Sequence, residues 1–132
     1  MTNRGLMKAL DKNENAAYIL LNTSLDLMVL LEKNGMILAC NEAFAQSREG
    51  SINELIGSII WEWLPSDLAA RSQQFHEAII QSCAPLRVEV EQDGRWSETI
   101  AVPIFNGTGE VTNIAIYSRE INELKKTEEA LR

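Results

Sequence analysis

The sequence predicts an α+β domain: a five-stranded antiparallel sheet with helices on one face, plus N-terminal and C-terminal flanking helices. Three observations carry this. The stretch Leu25–Gln46 reads as strand, tight turn, strand, helix, because two short apolar runs flank Asn34-Gly35, a pair that tolerates the positive φ of a hairpin reversal. Leu86–Glu91 alternates apolar and charged residues at the period of a strand lying on a core. Between these strand-rich blocks, the run from Ser66 to about Ser82 sets Leu68, Phe75, Ile79 and Ile80 at helical period, with Ala69 and Ala78. Two hairpin strands and a three-strand meander can join in one sheet, with the intervening helices over one face.

Each element has a local cause. Residues 1–14 are weakly amphipathic through Leu6, Met7 and Leu10, then polar. A short helix over residues 15–22 has Ala16, Ile19 and Leu20 on one face and ends at Asn22-Thr23-Ser24. Leu27–Leu31 is the first strand, Glu32–Gly35 its turn and Met36–Cys40 the return strand. Asn41 stops that strand and caps a helix with its side-chain oxygen. Ser51 and Glu54 have capping-box spacing, and Gly57 closes that short helix. Ile59–Leu64 is a dense apolar connector, Pro65 closes it, and Ser66 is expected to cap the long helix. In the meander, Leu86, Val88 and Val90 face in while Arg87, Glu89 and Glu91 face out. Asp93-Gly94 turns into the strand Arg95–Phe105, and Asn106–Gly109 turns into Val111–Ser118. From Glu120 the pattern becomes helical. Lys125–Glu129 and Glu128–Arg132 are spaced four apart, and Ile121, Leu124 and Leu131 lie on a coiled-coil seam. No terminator follows, so the helix is expected to continue into a further domain.

Composition narrows the function. A chain of 132 residues suits one domain, and 45% apolar with 23% charged residues is a globular mixture. The net charge of −7 and the lack of a basic stripe argue against a nucleic-acid partner. No apolar run approaches the ~20 residues of a spanning helix, so no membrane insertion is expected within this segment. The N-terminal MTNRGLMKALDKNEN lacks a signal-peptide core, and a cytoplasmic location is expected. Cys40, Cys83 and His76 are too few for a four-ligand zinc site without acidic help, so no metal is expected. The two cysteines read as small apolar side chains rather than a disulfide.

Catalysis finds no pattern to rest on. A single His supports no Ser-His-Asp arrangement, and no GxxxxGK phosphate loop is present. Glu89, Glu91, Glu98 and Glu110 read as a solvated face. The chain is therefore expected not to be an enzyme by itself. Arg95 opens one strand and Glu120 leaves its neighbour, so a Glu120–Arg95 pair is expected to latch the exit helix to the sheet.

Several motifs resemble those of the PAS sensor family. They are Asn41-Glu42-Ala43-Phe44, Glu54-Leu55-Ile56-Gly57, Leu64-Pro65-Ser66-Asp67, Asp93-Gly94-Arg95-Trp96, Val102-Pro103-Ile104 and Gly109-Glu110-Val111. Arg119–Glu123 is similar to the family's Asp-Ile-Thr exit signature, with Glu120 for the Asp and Asn122 for the Thr. The resemblance covers roughly residues 15–124. It implies a PAS-like sheet whose long helix encloses a small-ligand pocket, and a domain that dimerises and signals through its exit helix. The division it implies is a flanking segment 1–14, a sensor domain 15–120, and the start of an exit helix 121–132 leading to a C-terminal effector in the same chain.

If the meander runs as in that family, Ser97, Thr99 and Ala101 point at the helices, with Ile114, Ile116 and Ser118 beside them. Phe44, Leu55, Ile60, Phe75 and Ile79 would close the pocket from the helices. The alternative is a filled core in which Ser and Thr bond nearby carbonyls. A cavity under one water's share, ~30 Å³, would favour that alternative. Trp96, Glu98, Ile100, Val102 and Ile104 would point outward. The apolar Ile100, Val102 and Ile104 then need cover, from the N-terminal helix or a second chain, and a homodimer is expected. Signal transmission would run through Arg95, Glu120, Ile121 and Leu124.

The ligand is an unknown small molecule. Ile59 and Ile60 stand where blue-light flavin members carry a reactive cysteine, so Ile60 excludes that covalent flavin chemistry. His76 falls about one turn after the usual haem ligand, nearer Ser72, and is read as a partly exposed helix residue rather than a ligand. The expected effector is a histidine kinase in a two-component system. The alternatives are a ligand-free dimerisation module, or the input domain of a diguanylate cyclase or transcription regulator.

Overall fold

The structure, a computed structural model, describes residues 22–122 together with 127, 128, 130 and 131. Segment 1–14, the expected helix over 15–22 apart from Asn22, and Leu124, Lys125, Glu129 and Arg132 lie outside the described residues.

The first hairpin forms as its turn chemistry dictates. Strand β1 (Leu27–Glu32) pairs antiparallel with strand β2 (Ile37–Cys40). Gly35 sits at φ +91°, and a Cβ there would lie 2.8 Å from the Trp61 indole. Turn geometry and close approach both demand glycine. Asn41, fully buried, then does two tasks. Its Oδ1 accepts the Phe44 N–H at 3.0 Å, capping helix α1 (Glu42–Ser47). The same oxygen accepts the Met28 N–H at 3.1 Å, and Nδ2 donates to the Asp26 carbonyl at 2.8 Å. One amide thus fixes both the start of α1 and the entry to β1.

Helix α2 (Ile52–Leu55) opens with the expected capping box. Ser51 Oγ accepts the Glu54 N–H at 3.2 Å, and Glu54 Oε1 accepts the Ser51 N–H at 3.3 Å. The apolar connector forms a 3₁₀ turn at Ile60–Trp63. Helix α3 (Ser66–Ser82) follows, and here the expected cap is corrected. Pro65, not Ser66, is the capping position, because the Pro65 carbonyl already accepts the Ala69 N–H at 2.8 Å. Ser66 is the first helical residue, and no side-chain cap bond forms.

The meander comprises β3 (Leu86–Gln92), β4 (Arg95–Phe105) and β5 (Val111–Glu120). Strand β5 runs two residues past the expected Ser118, because Arg119 and Glu120 still pair with Glu98 and Ser97 of β4. The sheet order is β2-β1-β5-β4-β3, with every neighbouring pair antiparallel. The last strand therefore sits at the centre, between β1 and β4.

Register assigns the two faces. Cys40, Val29, Ile116, Ala101 and Leu86 form one cross-strand row. That row faces the helices, since Val29 and Cys40 pack with Phe44 and Leu55 while Ala101, Leu86 and Ile116 pack with Ile79. Ala39, Leu30, Ala115 and Val102 form a row on the opposite face. The core has two parts. One, under the short helices, centres on Leu31, Ile37 and Leu55. The other packs Ile79 of α3 on Ala101, Val111 and Ile114. No helix among the described residues is long and apolar enough to cross a membrane.

Candidate functional site

Where the two core parts meet, α3 stands off the sheet and leaves a cavity of about 660 Å³. That volume lies within the usual range of small-molecule sites, roughly 300–1,000 Å³. It far exceeds the ~30 Å³ of a single water. Of the residues expected to line a pocket, Phe44, Ile60, Phe75, Ile79, Ser97, Thr99, Ile116 and Ser118 surround it. Leu55, Ala101 and Ile114 do not; each is fully buried within the packed core. Trp96, expected outside, is among the residues that wall the cavity.

The cavity arises from side-chain size. Register places Thr99 opposite Ser118 and Val88, and Ser97 opposite Val90. These small residues fill less of the gap beneath α3 than Ile114 and Leu31 fill farther along. Thr99 and Ser118 bond each other at 3.0 Å, hydroxyl to hydroxyl, instead of seeking nearby carbonyls.

His76 departs from expectation. It is 5% exposed, not partly exposed, and its Nε2 lies 2.7 Å from the Lys33 carbonyl in the first hairpin. Trp61 meets the ring edge-on, with centroids 5.3 Å apart. The periodicity of α3 gives no sign of this, because the partner is 43 residues away. Ile60 is buried in the cavity wall.

The exit from the sheet is also built differently from the expectation. Among the described residues Arg95 and Glu120 form no ion pair. The register sets Glu120 opposite Ser97, two residues past Arg95, and the Glu120 carboxylate instead accepts from Asn122 Nδ2. The junction is held by the main chain of Trp96. Its N–H donates to Asn122 Oδ1 at 2.6 Å, and its carbonyl accepts the Ile121 N–H at 3.0 Å. Ile121 is buried behind this clasp. A residue of the cavity wall is therefore bonded on both sides to the start of the exit segment.

Glu98 was missed as well. It is 4% exposed on the outer face, not part of a solvated row. Arg87 Nε donates to its Oε2 at 2.9 Å with Nη2 on the same oxygen, and Arg119 Nε lies 3.3 Å from Oε1. The Arg87 hydrogen bond, aided by the charges of Arg87 and Arg119, outweighs burial and holds the carboxyl below the usual carboxylate range. The signal was the cross-strand partner: register brings Arg119 directly opposite Glu98. Nearby, the Tyr117 hydroxyl donates to Asp26 Oδ2, which pushes the Tyr117 pKa upward. Burial, with Glu42 close by, pushes the Cys40 thiol up to about 11.

The remaining outer face is apolar. Ile100 is half-buried, while Val102 and Ile104 are 42% and 40% exposed. Met28, Leu30, Ile100, Val102, Ala115 and Tyr117 form a groove of about 370 Å³ there. No cluster of potential metal ligands occurs among the described residues.

A family model described as the PAS fold matches residues 21–126. The chain belongs to the PAS fold family. Solved structures agree in architecture. The PAS domain of BvgS from Bordetella pertussis is 19% identical with a TM-score of 0.65, covering 92% of this chain and 97% of that one. A sensory box sensor histidine kinase from Vibrio cholerae is 13% identical with a TM-score of 0.67, covering 91% and 97%. Vibrio cholerae VqmA, solved as a complex with ligand and DNA, is 14% identical with a TM-score of 0.69, covering 86% of this chain and 53% of that one. At these identities the likeness is one of fold. No curated protein matches the sequence. PAS domains are sensory modules and are generally not catalytic, and this chain carries the five-stranded PAS sheet.

Proposed function

We propose that this PAS domain is the ligand-binding input of a larger cytoplasmic signalling protein and is not itself catalytic. The observation that carries the reading is the cavity of about 660 Å³ whose wall includes Trp96, the residue clasped to Ile121 and Asn122. A ligand that displaces Trp96 shifts the start of the exit helix, and a ligand can bias a two-state element only through such differential contact. Residues 15–120 form the sensor, 1–14 flank it, and 121–132 begin the linker to the effector. The effector is a histidine kinase, a reading supported by the fold shared with a sensor histidine kinase and by the helical seam of Ile121 and Leu124. A diguanylate cyclase or a transcription regulator would accept the same linker.

The domain acts as a homodimer through the apolar outer face of Ile100, Val102 and Ile104. The support is an exposed apolar groove that water leaves unsatisfied. The net charge of −7 speaks against direct contact with nucleic acid.

Native mass spectrometry of the purified protein tests both halves. A co-purified small molecule, present in the wild type and lost in Thr99→Trp at unchanged helix content, is the expected result. A Thr99→Trp protein that keeps the same adduct would remove the cavity from the binding reading. In the same spectra Val102→Arg is expected to shift dimer to monomer; an unchanged dimer would move the interface elsewhere.

A further inference from the structure

The two edges of the sheet are finished differently. The free edge of β2 is covered by the connector that follows α2. The Ile37 N–H donates to the Ser58 carbonyl and the Ile37 carbonyl accepts the Gly57 N–H, each at 2.8 Å, and Met36 bridges Ile59. Strand β3 ends the sheet on the other side, and among the described residues no strand lies beyond it. An edge strand offers a row of main-chain donors and acceptors to any strand that matches it, and natural edges are commonly blunted by short length, proline, lysine or a bulge. Strand β3 has none of these. It runs for seven residues, LRVEVEQ, and its pairing with β4 is unshifted throughout. Leu86, Val88 and Val90 stand half-buried on the helix-facing side. Arg87 and Glu89, opposite Ile100 and Glu98 of β4, stand exposed on the outer side with Glu91. The Arg87 side chain stays 66% exposed while it binds Glu98, and Glu89 is exposed with an interaction of its own.

We propose that β3 pairs antiparallel with β3 of a second copy of this chain, about a two-fold axis at Val88. Charge order within the strand selects both the occupant and the register. A two-fold axis normal to the sheet sets the strand against its own reverse, so the residue on the axis fixes every pair. With the axis at Val88, Arg87 faces Glu89 of the second copy on the outer side, once in each direction. On the inner side Leu86 faces Val90, and Val88 faces Val88. An axis at Arg87 sets Arg against Arg, an axis at Glu89 sets Glu against Glu, and an axis at Val90 sets Glu89 against Glu91. Of these four, only the Val88 axis joins opposite charges without facing like ones, which destabilise a strand pair. The pairing covers the half-buried apolar row and bonds the outward main-chain groups of both edges, joining two five-stranded sheets into one. An edge of seven residues is small beside the ~800 Å² per partner of a standard interface, so the association is weak and concentration-dependent. This contact is separate from the outer face of Ile100, Val102 and Ile104, which an axis normal to the sheet leaves open on both copies.

Two measurements on the full chain test this, both in the Val102→Arg background so that outer-face pairing does not mask the edge. In sedimentation velocity the sedimentation coefficient is expected to rise with protein concentration. Glu89→Arg with Glu91→Arg leaves only like charges along β3, and is expected to weaken that association about tenfold at unchanged circular dichroism. The same double change moves the net charge toward zero, which by itself favours association, so a loss reports on the edge. Equal association of the two proteins, or none at millimolar concentration, would overturn the pairing. The second measurement reads the register. With Cys40→Ala and Cys83→Ser removing the native thiols, Val88→Cys places two thiols face to face on the axis, and oxidation by copper phenanthroline is expected to link the copies by a disulfide. Val90→Cys, which faces Leu86 of the second copy, is expected to stay unlinked. Linkage of Val90→Cys as fast as Val88→Cys would overturn the Val88 axis.

Discussion

The helix-facing side of the sheet has two ends that behave as different materials. Under the short helices, Leu31, Ile37 and Leu55 are fully buried in a continuous core. Beneath α3, Ser97, Thr99 and Ser118 are half-buried beside a cavity of about 660 Å³. Strands β1, β4 and β5 serve both ends, and the β4–β5 register is unbroken from Ser97 to Ile104. The strand period fixes which residues face the helices; their size and polarity decide whether that face becomes core or cavity. Close packing and open volume are thus divided along a shared sheet.

The contrast can be broken by truncation on either side. Leu55→Ala removes a fully buried side chain and is expected to cost about 2–5 kcal/mol. Ser97→Ala, at the cavity, is expected to stay within about 0.5 kcal/mol. Urea midpoints at constant m-value measure both, and equal losses would mean that the α3 end is packed as tightly as the other.

A smaller effect separates the two faces. Because Arg87 and Arg119 hold the Glu98 carboxyl below its unfolded value, the folded state binds fewer protons through this group. Its contribution is complete above the ordinary Glu pKa of about 4.3 and is lost as pH falls through the depressed folded value. Melting temperatures of wild type and Glu98→Gln are expected to differ at pH 7 and converge toward acid; a gap constant with pH would deny the ion triad its role. Smallest of all is the difference between the thiols. Cys40, pushed up to about 11, should label slowly with a maleimide at pH 7.5, and exposed Cys83 should label first. Similar rates would mean that the β2 end opens readily.

Local chemistry made most of the fold legible. The Asn34-Gly35 and Asp93-Gly94 turns, the Asn41 cap and the Ser51–Glu54 box each act within a few residues, and alternation placed the strand faces. The features that escaped are long-range. Glu98 is buried because Arg119 sits opposite it in the register, and His76 because the first hairpin turns back onto α3. The Asn122–Trp96 clasp joins residues 26 apart, so charge pattern pointed to Arg95 and Glu120 instead. The cavity was half legible. Small side chains at Ser97 and Thr99 announced space, but strand alternation alone could not say that Ala101 and Ile114, equally inward, would be packed by Ile79.

The Thr99–Ser118 pair has a consequence for how such a domain can change. Because the two hydroxyls answer each other, neither serves the fold beyond its partner, and both can be exchanged together for apolar residues without stranding a polar atom. The clasp at Trp96 uses main-chain atoms and Asn122 and is indifferent to that exchange. Under the proposed function, paired substitutions in one wall would change the stimulus while the output linkage stays as it was.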